Sequence, residues 1–475
     1  MAQAPQQQPP DLPKRLPLVI EAANRGDSTA YDARLVNCYA EKSKEGDFWI
    51  YERPGLDEQS RPPAANATGR GVTFWRGNLY SIFDNKLYKD GAAQAGTVNT
   101  TNGVYKFSTG CLGATPKLQF GDGVKAYNFD TAGGLVNIND VDFPTSFVKG
   151  WAYLDGTTYV LVPSAHILGS DINDPVNWDS LNDILAQIEP DQGKALNKQL
   201  VYVVAFKEWT TEIFYDAGNV TGSPLGRVEG AKAEWGCLSA DSVQELDGAL
   251  IWLGQTRYGS PEIVFLDKLK AEVVSTKAIE RLLEQADLDT IYSWTVKLDG
   301  HRFYVLTIKD DNLTLAFDLD QRGDYAWSQW TDTNGNYLPI VSSCMNSSLQ
   351  HILQHESNGR LYYASSTFAT DDGDLITVDI YTPNFDGGTR RRKHMKMLEV
   401  VSDQQVGSEL FVRVNDHDYN PARWSGFRRF DLSRKRPYIS DCGTFVRRVH
   451  HFRHRNAVRM PRIQAMEVQI DLGTL

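Results

Sequence analysis

Residues 293–331 read SWTVKLDGHRFYVLTIKDDNLTLAFDLDQRGDYAWSQWT, and this stretch decides the fold class. It divides into four short strand-like runs at 294–298, 301–308, 313–319 and 326–330. Asp299-Gly300 is the pair that a two-residue type I′ hairpin needs, because glycine takes a positive φ without a Cβ clash, and Asp310-Asp311-Asn312 supplies a second polar turn. In the second run Phe303, Val305 and Thr307 point one way while Tyr304, Leu306 and Ile308 point the other, so both faces are apolar. A sheet with two apolar faces has to be covered on both sides.

The same hairpin recurs along the chain. Trp75-Arg76-Gly77-Asn78-Leu79-Tyr80, Leu154-Asp155-Gly156-Thr157-Thr158-Tyr159, Leu246-Asp247-Gly248-Ala249-Leu250-Ile251 and Ser357-Asn358-Gly359-Arg360-Leu361-Tyr362 each place a turn glycine before a strand rich in aromatic or aliphatic residues. Gly121-Asp122-Gly123 and Asn197-Lys198 are weaker copies. Turns at 77, 123, 156, 198, 248, 300 and 359 have a mean step of about 47 residues, near the roughly 40–50 of a propeller blade. Packing such sheets around an axis covers both faces of each and leaves only short edges. The expected fold is therefore all-β, a β-propeller of about seven blades over residues 31–378. An extended, Gln/Pro-rich N-terminal arm over 1–30 precedes it, and a basic C-terminal β-module or decorated last blade over 379–475 follows. Two runs at 34–40 and 48–51 are expected to form a hairpin that completes the last blade and closes the ring. Helix periodicity is confined to 177–189 and 275–286, the second with Ser275 or Thr276 as N-cap and Ile279, Leu282 and Leu283 on one face.

At 475 residues the chain is long enough for a large core, and a ring of blades accommodates it as one propeller. Cys38, Cys111, Cys237, Cys344 and Cys442 are odd in number and scattered, with no C-x-x-C pair. They read as small buried residues in a reducing compartment. The first residues, MAQAPQQQPPDLPKRLPLV, lack the apolar core of a signal peptide, and nowhere do about 18 apolar residues run together, so no membrane insertion is expected. The formal charge of −11 hides an asymmetry: residues 381–475 carry 18 Lys+Arg against 10 Asp+Glu, a local +8, which leaves −19 elsewhere. That split predicts partner surfaces of opposite sign. The candidate interface residues are Arg390, Arg391, Arg392 and Lys393, with Arg447, Arg448, Arg453 and Arg455. A protein docking site and a set of phosphate contacts are the two readings of this cluster.

No catalytic, cofactor or metal residues are expected. His351-x-x-x-His355-Glu356 has an i, i+4 histidine pair, but on a strand the two lie about 13 Å apart, whereas a metal site needs them on a helix with a third ligand. His450-His451-x-x-His454 sits among arginines that repel a cation, so a solvated or interfacial strand is expected there. Asp371-Asp372-Gly373-Asp374 lacks the twelfth-position Glu of a calcium loop and reads as a polar turn. Walker A, Gly-x-Ser-x-Gly and His-Glu-x-x-His motifs are absent from the sequence. A glycan-cleaving site needs two carboxylates flanking one bond, and the adjacent Asp310 and Asp311 point apart.

Several segments in order resemble the packaged-DNA stabilisation protein, or tail accessory factor (tail hub), of short-tailed bacteriophages (podoviruses). They are Leu35-Val36-Asn37-Cys38-Tyr39-Ala40, then Tyr51-Glu52-Arg53-Pro54-Gly55-Leu56, then Trp209-Thr210-Thr211-Glu212-Ile213-Phe214-Tyr215-Asp216-Ala217-Gly218, and Ser275-Thr276-Lys277-Ala278-Ile279-Glu280-Arg281-Leu282-Leu283. The resemblance implies a non-enzymatic virion protein, made in the host cytoplasm and placed in the tail. It implies a homo-oligomeric ring, usually a hexamer, below the portal and its adaptor. Such a ring retains packaged DNA through loose contact, since the DNA must later slide out, and anchors the needle, tailspikes or fibres. The proline-rich arm and arginine-rich tail depart from the family and bear on the docking partners. Two readings of other classes are a carbohydrate-binding or depolymerising tail protein and a phage DNA-binding clamp. The first finds no carboxylate pair, and the second rests on the basic tail alone.

Overall fold

The structure, a computed structural model, describes residues 14–18, 33–42, 48–100, 103–111, 115–321 and 326–473. The chain forms two compact units.

The larger unit comprises residues 56–320 and 336–365 and is a β-propeller. Its sheets are antiparallel meanders taken in sequence order. They begin with Gly69–Trp75, Asn78–Phe83, Lys86–Lys89 and Ala92–Ala93 and end with Ile340–Met345, His351–His355 and Leu361–Ser365. The decisive stretch folds as read. Ile291–Leu298 pairs with His301–Ile308 from Ile291↔Ile308 to Leu298↔His301, around Asp299 and Gly300 at φ of 54° and 84°. Leu313–Asp318 adds the third strand, and Tyr304, Val305 and Leu306 are fully buried.

Each sheet covers the face of the next. Trp75, Tyr80 and Ile82 pack on Leu118, Phe120 and Phe129, and Val204, Phe206 and Ile213 pack on Leu250, Trp252 and Val264. Val72 and Phe83 of the first sheet meet Ile352 and Leu361 of the last, which closes the ring. A single strand, Gly55–Ser60, completes that last sheet beside Leu361–Ser365. The closing element is thus not the expected 34–51 hairpin. Gly55 is suited to the place, since a Cβ there would sit 2.6 Å from the Phe368 carbonyl oxygen and 2.7 Å from that of Thr370.

The expected helix over 177–189 is a strand, Asp174–Leu185, paired with His166–Asp171. The register jumps from Leu168↔Asp183 to Ser170↔Trp178, and the extra residues of this bulge turn a period of two into a spacing that mimics a helix. Trp178 turns inward, edge-on to Phe143 at 4.9 Å, while Leu181 lies in solvent. The second expected helix is present as Lys277–Gln285, with Thr276 Oγ1 accepting from the Ile279 N–H and with Ile279 and Leu283 buried. Thr276→Ala removes that cap, and urea unfolding should show a loss of about 1 kcal/mol.

The smaller unit gathers residues 1–55, 321–335 and 366–475. One sheet has the order Arg34–Val36, Val378–Tyr381, Val449–His454, Glu409–Asn415 and Arg428–Asp431. A second has Cys38–Lys42, Phe48–Glu52, Ile463–Leu472, Lys393–Ser402 and Tyr438–Ser440. Both feed one core that includes Leu35, Ile380, Leu410, Phe452, Met395, Leu398 and Met466. Part of the expected arm belongs here: Lys14–Arg15 pairs with Val468 and Glu467, and Leu16 and Leu18 enter the same core. Those two leucines supply apolar surface that the Gln/Pro composition of the first residues obscures. The rest of the arm, 1–13 and 19–30, lies outside the described residues. All five cysteines are free thiols, and burial pushes Cys237 and Cys344 up to about 12.

Candidate docking surface and the buried polar networks

The basic segment divides into outward and inward charges. Arg390, Arg391 and Arg392 are exposed, and Arg391 is tied back, donating to the Gly473 carbonyl at 2.6 and 3.1 Å. Lys393 is buried. Its Nζ donates to the carbonyls of Thr389, Arg391 and Val446 at 2.6, 2.7 and 2.9 Å, and burial pulls its pKa down. Arg448 is buried as well, forked onto Asp416 at 2.7 and 2.9 Å, with its guanidinium 4.3 Å from the Phe445 ring. Arg453 is half-buried and paired with Asp379 at 2.7 and 3.0 Å. Arg447 and Arg455 are exposed, the former 3.7 Å from Asp418. Lys393 and Arg448 therefore leave the candidate interface, since each satisfies buried acceptors of its own chain. A signal for Lys393 was present in the sequence. It opens Lys393–Ser402, and counting back by two from the core residue Met395 points it inward.

The histidines correct another expectation. His450, His451 and His454 are fully buried, because Val449–His454 is an inner strand between Val378–Tyr381 and Glu409–Asn415. Arg413 Nε donates to His451 Nδ1 at 2.7 Å, which leaves the ring proton on Nε2 to donate to Asp379 Oδ1 at 2.6 Å. Arg453 donates to the same carboxylate, giving a chain Arg453–Asp379–His451–Arg413. Burial pulls His451 down, opposed by the Asp379 hydrogen bond. Burial also lowers His454 to about 4 and, with the Arg448 charge, His450 to about 3. In the propeller, His351 Nε2 accepts from the Lys297 N–H, and His355 Nδ1 accepts from that of Ser357, so each ring serves its own backbone. Asp371 is part of a tight hairpin, Thr370–Asp371 with Asp374–Leu375, and its carboxylate pairs with Arg53. Asp311 Oδ2 accepts from the Asp287 N–H, a backbone contact 24 residues away in sequence. Among the described residues no three His, Cys, Asp or Glu side chains are grouped to hold a metal.

The residues that carried the family resemblance are tie-points. Asn37, at φ 56°, accepts on Oδ1 from Arg53 Nε at 2.9 Å and from the Thr331 N–H at 2.7 Å, and donates to Thr331 Oγ1 and to the Thr377 carbonyl. Arg53 is 1% exposed and reaches the Pro54 and Thr331 carbonyls besides Asp371. The second motif centres on Glu212, fully buried, which accepts from Lys207 at 2.8 Å, Arg227 at 3.0 Å and the Ile188 N–H at 2.9 Å. Lys207, also fully buried, pairs with Asp191 at 2.7 Å. Each carboxylate thus faces a cation, as burial of charge requires. A charged residue inside an apolar strand such as Thr211–Asp216 was the available sign of such a network.

Residues 16–369 match the family described as Bacteriophage P22 Gp10, beta-propeller. The chain belongs to this family. It is accordingly a bacteriophage structural protein of the virion, built on a β-propeller. No curated protein sequence matches this Gp10-family chain. Among solved structures, a streptogramin B lyase is 10% identical, with a TM-score of 0.41 over 66% of this chain and 97% of its own. The extracellular domain of the one-component system BT4673 from B. thetaiotaomicron is 9% identical, with a TM-score of 0.43 over 90% and 62%. Virginiamycin B lyase from Staphylococcus aureus is 8% identical, with a TM-score of 0.42 over 66% and 99%. Likenesses this distant imply nothing about what the Gp10-family chain binds or does.

Proposed function

We propose that the chain is the ring-forming hub of a podovirus tail. In this reading it assembles as a hexamer below the portal and its adaptor, retains packaged DNA and anchors the needle, tailspikes or fibres. The observation that carries the reading is the family match over residues 16–369. The charge asymmetry supports it, because complementary potentials steer association and set register between unlike surfaces. The buried ion networks suit a rigid, non-enzymatic scaffold. A propeller of about seven blades belongs to the same proposal, and the mean turn spacing of about 47 residues supports it. Loose contact with DNA fits an acidic body, which does not adhere to phosphate.

Native mass spectrometry of the purified chain, alone and with a portal adaptor, tests the ring. A sixfold species in the mixture is the expected result, and a monomer under both conditions would remove the hub. Docking is tested separately through Arg390, Arg391 and Arg392 changed together to Glu, with Lys393 kept. An exposed site tolerates this within about 0.5 kcal/mol, so the triple variant should melt like the wild type. Particles assembled with it should package DNA and then leak it. Wild-type infectivity would place docking on other surfaces.

A further inference from the structure

The inner strands of the propeller line an open cavity of about 290 Å³, bounded among others by Lys106, Lys149, Leu196, Asp241, Ser293 and Ser343. Its charges are unevenly satisfied. Lys149 Nζ holds Asp241 Oδ2 at 2.6 Å, while Asp241 Oδ1 is buried with no hydrogen-bond donor among the described residues. Lys106 Nζ donates to the Val243 carbonyl at 3.2 Å, a long bond that uses one of its three N–H groups. Glu245, the remaining charged residue of the lining, is exposed, and its carboxylate is engaged by the Gly248 backbone. Gln244 is spent on Ser293, donating to its carbonyl at 2.8 Å and its hydroxyl at 3.0 Å. What is left around Lys106, Lys149 and Asp241 is an under-used ammonium, one spare carboxylate oxygen, and one positive charge more than negative.

We propose that this cavity binds a small protonated oxyanion, and that inorganic phosphate is its ligand. The charged phosphate oxygens accept from Lys106, and the P–OH of hydrogen phosphate donates to Asp241 Oδ1. An anion neutralises the surplus lysine charge, which a zwitterion or a cation leaves in place. The spare acceptor makes the site selective, because sulfate at neutral pH has no proton to offer and sets an oxygen lone pair against the carboxylate. A polar site left with an unpaired group rejects the analogue that lacks the matching atom. Desolvation pulls the Lys106 pKa down in the unliganded chain, so an anion beside it also restores a favourable partner to a buried cation.

Titration calorimetry on the full chain at pH 7 and constant ionic strength tests this with inorganic phosphate and, in parallel, sulfate. Phosphate should bind at one site and at least about tenfold more tightly than sulfate. Lys106→Met should abolish phosphate binding while leaving the circular dichroism spectrum unchanged. Asp241→Asn, whose amide can donate, should bring sulfate level with phosphate. Equal binding of the two anions by the wild type, or no binding of either, overturns the proposal. So does phosphate binding that survives in a folded Lys106→Met chain. If that variant does not fold, the wild-type preference for phosphate over sulfate decides alone.

Discussion

Lys207→Met is expected to destabilise the propeller by about 3–5 kcal/mol, the usual result of removing one partner from a buried ion pair. Lys207 has no solvent contact, and it stands between Asp191 at 2.7 Å and Glu212 at 2.8 Å. Without it two carboxylates remain in a low-dielectric pocket, with Arg227 reaching only Glu212, at 3.0 Å. Asp191 keeps the N–H groups of Trp209 and Thr210, at 2.8 and 3.0 Å, but loses its cation. Urea unfolding of the two chains gives the difference directly. Adding Glu212→Gln to Lys207→Met should recover part of the loss, since it removes one uncompensated charge, and such coupling is expected of residues in one network. A double variant whose loss equals the sum of the single losses would show that the four groups do not act together.

Acid should loosen the chain in a defined window. Burial holds His450 and His454 neutral in the folded state, with pKa values of about 3 and about 4, whereas an unfolded histidine titrates near 6.5. Above about pH 7.5 neither state takes up protons at these rings, and stability is flat. Below it the unfolded chain binds protons that the folded chain refuses, so stability falls with pH until the folded values are reached. The loss between pH 7 and pH 5 is about 2 kcal/mol for each ring. His351, lowered to about 4 by burial and the Lys297 charge, adds to the same slope. Denaturant midpoints at the two pH values measure the effect. His450→Phe should flatten the slope without cost at pH 7, because both nitrogens of His450 are buried without a hydrogen-bond partner among the described residues. A slope unchanged by His450→Phe and His454→Gln would assign the acid lability to carboxylates instead.

Which charges of the basic segment face solvent was legible in outline only. Arg390, Arg391 and Arg392 face solvent as a run of like charges should, yet their neighbour Lys393 closes three backbone carbonyls. A long flexible stem lets a cation end in either place, and the acceptors that decide between them lie as far off as Val446. The histidines were misread for a related reason. Arginines near them in sequence suggested a wet strand, but strand pairing sets burial, and pairing joins Val449–His454 to segments dozens of residues away.

By itself the sequence determined the all-β class and the ring-like stacking of its meanders. Turn chemistry at pairs such as Asp299-Gly300 and alternation within strands such as His301–Ile308 are local, acting over two to eight residues. The cap of the helix Lys277–Gln285 was legible on the same ground. Only the tertiary structure decided that Gly55–Ser60 completes the last sheet, that Leu16 and Leu18 join a core with Met466, and that Asp174–Leu185 is a bulged strand. It also decided that Asn37, Arg53 and Asp371 form one network across more than three hundred residues of chain. Each of these depends on which distant strand or carbonyl comes within about 3 Å, a choice made by the packing of the whole chain.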